Sequence, residues 1–298
     1  MKLAIVVLTK NESIHLERCL LSVADLADEI VVVDCGSVDN TCDIANKFGS
    51  RLFKNTWVNY SSQFKFGVSN VSSDCNWIMR IDADEYLTDE LRSSVRKFLA
   101  GVPHHIDGAY FPRRMAFMGR HIKHGGIFPA YMLRLFRAGK GKIEDRWMDE
   151  HIKVLGETVV LNGELIDDNL NSLTWWTDKH NKYASREAVD LLNLEFSFMK
   201  IDSVAAAKGG SQAGLKRWVK EKVYARLPVG FRALAYFLYR YVVRLGFLDG
   251  KEGTIFHFLQ GYWYRYLVDC KVYEVKRHMS IHDSDIKLAI EKVLDIRL

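Results

Sequence analysis

Three acidic side chains stand within four positions at the end of a short apolar run, WIMRIDADE, residues 77–85. Asp82 and Asp84 are separated by one residue, and Glu85 follows directly. Two carboxylates at the open end of a strand suit a divalent cation, because Mg²⁺ binds a few carboxylates together with phosphate oxygens of a substrate. Cation and phosphate would then relieve the repulsion among the acids. The alternative is a solvated turn in which Glu85 begins a helix.

A further carboxylate, Asp34, ends the apolar run EIVVVD and precedes the small residues of the loop Cys35–Ser37. Small residues let a ligand approach the backbone closely. A carboxylate at this place can accept a hydrogen bond from a base N–H or a ribose hydroxyl. Alternatively, this loop caps the following helix through Asp39 or Asn40. Both roles are compatible, because ligand binding would use the side chain of Asp34 and capping would use another side chain.

The elements that position these residues alternate between buried apolar runs and helical periodicity, as in a parallel sheet flanked by helices. Strands are expected at residues 3–8, 29–34, 51–54 and 77–81, and helices after a Ser13 cap and at 43–48, 63–71 and 88–99. Each polar cluster follows a strand, where open α/β sheets bind ligands. The clusters are Thr9, Asn11 and Glu12; Asp34, Gly36 and Ser37; and Asp82, Asp84 and Glu85.

Composition excludes several classes of protein. With 298 residues, 48% of them hydrophobic and 27% charged, the chain has the make-up of a globular protein of one large or two modest domains. Its five cysteines form no Cys-x-x-Cys pair, which fits a reducing compartment. Neither a Gly-x-Gly-x-x-Gly after the first strand nor a phosphate-binding loop is present, which argues against a dehydrogenase or a kinase. The N-terminal apolar run is too short for a signal peptide.

A domain boundary is expected near residue 205, between a catalytic domain at 1–205 and a helical region at 206–298. Residues 205–250 hold nine Lys or Arg against two acids, whereas the whole chain has a net charge of +5. The stretch 231–245 is apolar and aromatic but interrupted by arginines, and 256–266 adds aromatics, so both are expected to lie at an anionic membrane surface. Core packing or a dimer interface are the alternatives, and no nucleic-acid-binding motif accompanies the charge.

The fragments AIVVLTKNE, VVVDCGSVDNT and WIMRIDADE, in this order, resemble the opening of a family 2 glycosyltransferase of the GT-A fold. The resemblance covers roughly residues 1–200 and points to the branch that builds bacterial surface glycans such as lipopolysaccharide core and capsule. It implies an α/β fold with a Rossmann-like mixed sheet. It also implies inverting transfer from a nucleotide-diphosphate sugar, expected to be a UDP sugar, to a glycan or lipid-linked acceptor.

The resemblance also assigns roles at the polar edge. Thr9, Asn11, Glu12 and Asp34 would hold the nucleoside, with Gly36 and Ser37 beside them. Asp82 would bind the ribose. Asp84, together with Asp82, would bind a Mg²⁺ or Mn²⁺ ion on the diphosphate. The cation would neutralise the charge of the leaving diphosphate. His180 is a further metal-ligand candidate, with a structural histidine as the alternative. Arg134 or Arg137 would bind phosphate. Of the two, Arg137 is predicted to bind the nucleotide-sugar donor.

An inverting transfer needs a base for the acceptor hydroxyl. The resemblance places it at Asp149 or Glu150, and neighbouring side chains of an extended segment point to opposite faces, so one is expected to act. Glu150 is preferred, although relatives often have a different residue before the acid.

Two alternative functions are transfer onto a polyprenyl phosphate and a non-catalytic role as a nucleotide-sugar-binding or membrane assembly protein. The expected location is the cytoplasmic face of the cytoplasmic membrane.

Overall fold

The computed structural model describes residues 1–144, 151–199 and 230–298. They form two compact units, Met1–Leu170 and Asn171–Leu298. The boundary predicted near residue 205 lies outside the described residues and stays a prediction. The helix Leu173–Phe196 nevertheless belongs to the second unit, because its buried face packs on helices near the C-terminus.

Ten strands of the first unit form one mixed sheet. They are β1 Leu3–Thr9, β2 Glu29–Asp34, β3 Arg51–Lys54, β4 Trp77–Asp82, β5 Glu85–Leu87, β6 Ile106–Phe117, β7 Arg120–His121, β8 Ala130–Arg137, β11 Glu157–Val160 and β12 Leu165–Asp168. The main order is β3-β2-β1-β4-β8-β6-β12-β5, with β7 and β11 paired to β6. A separate ribbon pairs β9 Lys142–Ile143 with β10 Ile152–Lys153. The expected Rossmann-like mixed sheet is confirmed.

Strands β3, β2, β1 and β4 run parallel, so their carboxyl ends share one edge. Thr9 lies opposite Asp34, and Leu8 lies opposite Asp82. Since neighbouring strands are about 4.8 Å apart, the ends of β2 and β4 are separated by about 10 Å. The register of the strands therefore brings the polar clusters together at one edge, as predicted.

Helices cover both faces of this sheet. They are α1 Leu16–Leu21, α2 Thr41–Lys47, α3 Tyr60–Ser69 and α4 Asp89–Gly101. Buried side chains of α1, α2 and α4 pack on one face, and Phe64 of α3 packs on the other. The predicted Thr88 cap is confirmed, since its hydroxyl accepts a hydrogen bond of 3.4 Å from the Leu91 N–H. The predicted Ser13 cap is wrong, because α1 begins at Leu16 with His15 at the cap position and has no side-chain cap hydrogen bond.

The sheet curls back on itself around the acidic turn. Strand β5 begins at Glu85, three residues after β4 ends at Asp82, yet it pairs with β12 at the far end of the strand order. The strands from β8 to β12 must therefore bend round to the end of β4. Side chains from distant strands consequently surround the turn Asp82–Glu85.

The second unit is helical. Over residues 171–199 and 230–298, its α-helices are α5 Leu173–Phe196, α6 Phe231–Leu238, α7 Gly250–Phe258, α8 Tyr264–His282 and α9 Ile286–Leu294. Helices α5, α8 and α9 share an apolar core that includes Ala188, Val268 and Ile290. A π-helical turn, Leu259–Trp263, joins α7 to α8. The expected C-terminal helical region is confirmed.

The predicted membrane-facing side chains are only partly exposed. Arg232 is paired with Asp269, and Arg240 is buried against His257. Phe256 and Tyr264 are also buried, because they pack inside the unit rather than forming an outer belt. Within the described parts of the chain, no helix has both the length and the apolar character required to cross a membrane.

Candidate active site

Asp34 is the buried centre of the first polar cluster. Its Oδ1 accepts hydrogen bonds from the backbone N–H groups of Gly36 at 2.9 Å and Ser37 at 2.8 Å. Its Oδ2 accepts from the Thr9 hydroxyl at 3.0 Å and from the Ser37 hydroxyl. Although burial opposes ionisation, these donors hold the pKa of Asp34 below its ordinary value. The anion fixes the loop.

Asn11 and Glu12 connect the end of β1 to the same loop. The Asn11 N–H donates to Ser37 Oγ at 2.7 Å. The carboxylate of Glu12 lies 2.6 Å from His15 Nδ1, and the Leu170 N–H donates to His15 Nε2 at 2.9 Å. Nε2 is therefore an acceptor, which puts the imidazole proton of a neutral His15 on Nδ1, facing Glu12. The structure thus brings together all six residues predicted on β1, β2 and their loops.

Asp82 is held by side chains from three elements. Its Oδ1 accepts from the Tyr60 hydroxyl and lies 3.5 Å from Arg80 Nε, while Oδ2 accepts from Arg134 Nη2 at 3.0 Å. The Arg80 guanidinium lies over the Tyr60 ring, 4.1 Å from its centroid. Burial opposes ionisation, but Arg80 and Arg134 hold the pKa of Asp82 far below its ordinary value. Asp82 is therefore a fixed anion at the end of β4.

Glu85 shares the same arginine in the interior. Glu85 and Arg134 form an ion pair, and each side chain is 1% exposed. The Asp82 N–H donates to Glu85 Oε2 at 3.0 Å. Burial raises the pKa of Glu85 to about 7, with Arg134 opposing the rise and the Asp82 charge adding to it. The expectation that ligand alone would compensate the acidic turn is wrong, because arginines from the curled sheet already pair with two of its three acids.

Asp84 has a different environment from its two acidic neighbours. Its side chain is partly exposed, and Oδ2 accepts a hydrogen bond of 2.9 Å from the amide of Asn169. Its backbone oxygen accepts from the Asp168 N–H at 3.0 Å. Arg18 holds Asp168 in turn, at 2.5 Å. The segment after β12 thus orients Asp84 through a neutral amide, which leaves its negative charge available to a ligand.

The donor set at this edge fits a cation that binds together with a substrate. Among residues 1–144, 151–199 and 230–298, no three His, Cys, Asp or Glu side chains are grouped to hold a metal ion. Asp82 is engaged by arginines, so Asp84 is the carboxylate left for a divalent cation. Mg²⁺ characteristically uses one or two carboxylates and takes its other ligands from phosphate and water.

Arg137 does not lie at this edge. Strand β8 runs antiparallel to β4 and places Arg137 opposite Trp77, at the start of β4. Asp82 lies five positions after Trp77, a distance of about 17 Å along a strand. Arg137 instead lies over the Trp77 ring, 4.9 Å from its centroid, and donates to the Ile106 carbonyl at 3.0 Å. Arg134, the other candidate of the same strand, is the one that reaches Asp82.

His180 lies on α5, in the second unit. Its Nδ1 donates to the Trp176 carbonyl at 2.8 Å, and the ring stacks on Trp176 with centroids 3.5 Å apart. Burial lowers the pKa of His180 to about 4, so near pH 7 the ring is neutral with its lone pair on Nε2. Its role as a metal ligand stays a prediction. Asp149 and Glu150 lie outside the described residues, and the choice of base between them also stays a prediction.

Sequence analysis does not identify Tyr60, Arg80, Arg18 or Asn169. Arg80 carries a signal, because a charged residue inside the apolar run WIMRID needs a partner when it is buried. Asn169 follows β12, so the rule that polar residues follow strands applies to it as well. Tyr60 and Arg18 come from helices and carry no local signal.

Residues 4–152 match the family model described as glycosyl transferase family 2. An uncharacterized glycosyltransferase of Rickettsia bellii (strain RML369-C) is 37% identical over 99 residues, 33% of each chain. The uncharacterized glycosyltransferase RT0209 of Rickettsia typhi is 28% identical over 204 residues, 64% of this chain and 68% of the relative. The lipopolysaccharide core biosynthesis glycosyltransferase LpsC of Rhizobium meliloti is 32% identical over 139 residues, 45% of this chain and 50% of LpsC.

Among solved structures, glucosyl-3-phosphoglycerate synthase from Mycobacterium tuberculosis, in complex with Mn²⁺ and uridine-diphosphate-glucose, is 18% identical. The similarity covers 39% of this chain and 44% of that chain, with a TM-score of 0.33. The chain spans about a third of the Rickettsia bellii relative and half of LpsC. The family model covers half of this chain, including every strand of the polar edge. The chain therefore belongs to glycosyl transferase family 2.

Proposed function

We propose that the first unit binds a nucleotide-diphosphate sugar, expected to be a UDP sugar, and transfers the sugar with inversion to an acceptor hydroxyl. One observation carries this proposal. The register of β2, β1 and β4 puts Asp34 opposite Thr9 and Asp82 opposite Leu8, at the carboxyl edge of parallel strands. Ligands of open α/β sheets bind at this edge.

The residues at this edge have different proposed roles. The loop anchored by Asp34 faces the nucleoside, and Gly36, with φ of +92°, gives that loop a backbone conformation that other residues rarely adopt. Asp82, held by Arg134 and Tyr60, is oriented toward the ribose. Asp84 would hold a Mg²⁺ or Mn²⁺ ion, whose charge, when it is bound, stabilises the departing diphosphate.

Asp149 and Glu150 are the residues proposed to act on the acceptor. One of these carboxylates, in our proposal Glu150, takes the proton of the acceptor hydroxyl as that oxygen attacks the anomeric carbon. The bond from this carbon to the diphosphate oxygen breaks in the same step. The similarity to LpsC supports a lipopolysaccharide core or related surface glycan as the acceptor.

A thermal-shift screen of UDP, GDP and CMP sugars, each with and without Mn²⁺, tests the proposal. A ligand that binds only the folded protein raises its melting temperature. We expect a UDP sugar with Mn²⁺ to raise the Tm more than the sum of the two separate shifts, because the donor supplies ligands to the metal. A screen in which no nucleotide sugar changes the Tm would reject the proposal.

A further inference from the structure

The turn between α6 and α7 carries several exposed apolar side chains close together in the sequence. Helix α6 continues through a π-helical turn, Tyr239–Val243, to a short 3-10 helix, Gly246–Asp249, directly before α7. Five large apolar side chains in this turn are between 45% and 66% exposed. They are Val242, Val243, Leu245, Phe247 and Leu248, and we call them the apolar tip.

The apolar tip differs from the exposed hydrophobic residues of the first unit. Apart from the neighbours Trp57 and Val58, those residues, such as Met118 and Leu155, are isolated in the sequence. Single exposed apolar residues are normal on soluble proteins, whereas a contiguous group marks an interaction surface. Five such residues within seven positions form a contiguous group.

A buried polar cluster fixes the backbone beneath the tip. Arg240 Nη2 donates to His257 Nδ1 at 3.1 Å, and His257 Nε2 lies 3.2 Å from Asp249 Oδ2. The three side chains are at most 2% exposed. Gly246 packs so closely that a Cβ atom there would lie 2.8 Å from the His257 ring. The turn is therefore held from within while its apolar side chains face outward.

The exposed charges around the tip have one sign. From Leu238 to Glu252, Arg244 and Lys251 are the exposed charged residues, whereas Asp249 is buried and Glu252 is half-buried. Apolar side chains bordered by cations suit a bilayer whose surface is anionic, since the apolar groups enter the interface and the cations meet phosphate groups.

We propose that the apolar tip docks the protein on an anionic phospholipid surface. A second copy of the chain is the less suitable occupant, because a symmetric contact through the tip would bring the cations of both copies together. The docking surface does not depend on the proposed sugar transfer, and its test contains no donor or acceptor.

Flotation of the full-length protein with vesicles provides the test. Two vesicle types are compared, pure phosphatidylcholine and phosphatidylcholine mixed with phosphatidylglycerol. The wild type should float with the mixed vesicles and bind pure phosphatidylcholine at least about tenfold more weakly. The triple variant Val243→Ser, Phe247→Ser, Leu248→Ser should lose at least about tenfold in affinity for the mixed vesicles.

Two further variants separate the contributions. The matched control Met118→Ser, Leu155→Ser, Val160→Ser removes three exposed apolar side chains of the first unit and should float like the wild type. Arg244→Ser with Lys251→Ser should weaken binding and reduce its dependence on salt, because exposed charges are screened by ions. Circular dichroism melting confirms that each variant is folded.

Failure of the wild type to bind mixed vesicles would overturn the proposal, as would a folded tip variant that binds them equally well. If sedimentation showed that the tip variant dissociates a dimer while no form binds vesicles, the occupant would be a second copy and the proposal would be wrong.

Discussion

The Thr9 hydroxyl donates a hydrogen bond of 3.0 Å to Asp34 Oδ2 across the ends of two neighbouring parallel strands. This contact joins the first two polar clusters. Asp34 is fully buried, and its carboxylate also accepts hydrogen bonds from the N–H groups of its own loop. The two residues therefore set the shape of this edge of the sheet.

Asp34→Asn should lower the free energy of unfolding by about 1–3 kcal/mol, because the amide nitrogen cannot accept the hydrogen bonds that one carboxylate oxygen accepts. Urea denaturation measures this loss. Asp74→Asn is the control, since Asp74 forms an exposed ion pair with Lys2 and should change stability by about 1 kcal/mol or less. Equal stability of the Asp34 variant and the wild type would show that the anion does not hold the loop.

The same variant should change the acid side of the stability profile. The pKa of Asp34 in the folded state lies below its ordinary value of 3.8. Its contribution is therefore present above pH 3.8 and is lost as the pH falls toward the folded-state pKa. Acid titration of stability should accordingly be shallower for Asp34→Asn than for the wild type in this window.

Arg134→Met should be among the most destabilising single changes at the site. It leaves Glu85 buried and removes one of the cations that pair with Asp82, and breaking one side of a buried ion pair costs about 3–5 kcal/mol. Arg92→Met, which removes a largely surface pair with Asp25, should cost about 1 kcal/mol or less. Urea unfolding of both variants gives the comparison, and similar small losses would contradict the role of Arg134.

The loss in Arg134→Met should also depend on pH. The pKa of Glu85 is about 7 in the folded protein against an ordinary 4.5, so its contribution is fully present below pH 4.5 and is lost as the pH rises through 7. Removing Arg134 takes away the charge that favours the carboxylate. The variant should therefore lose more stability at about pH 8 than at about pH 5.

The contrast between Arg134 and Arg137 shows how far sequence predicts this site. The strands from β1 to β4 and the edge they share follow from apolar runs and local polar clusters. The direction of β8 and the curl that returns β5 to the end of β4 are long-range pairings, and no local pattern encodes them. Sequence therefore predicts which residues lie at the edge, but not that arginines compensate Asp82 and Glu85 or that Arg137 lies at the opposite end.

Gly67→Ala should destabilise the first unit by about 1–3 kcal/mol, because overpacking forces neighbours to move. A Cβ atom at Gly67 would lie 2.6 Å from Val6 Cγ1 and 3.1 Å from Val33 Cγ2, where α3 packs on the sheet. Gly101→Ala is the matched control, since nothing lies within 4 Å of its added Cβ. Thermal unfolding distinguishes them, and an equal Tm for the two variants would show that α3 is not tightly packed there.

Glu150→Gln should retain donor binding and lose transfer, because the amide cannot take the acceptor proton. Asp149→Asn, the neighbouring and nearly isosteric change, should keep most activity. Donor affinity by calorimetry and turnover by release of nucleoside diphosphate separate binding from chemistry. If the two variants exchange these behaviours, Asp149 is the base and the assignment of Glu150 is wrong.

Calorimetric titration of UDP into wild type and Asp84→Asn, each with and without Mn²⁺, tests the central claim most directly. We predict that Mn²⁺ tightens UDP binding to the wild type and to the Asp74→Asn control. In Asp84→Asn the tightening should fall by at least about tenfold while the fold is preserved. A folded Asp84→Asn protein in which Mn²⁺ strengthens UDP binding as much as in the wild type would contradict the assignment of this edge to a metal-bound nucleotide sugar.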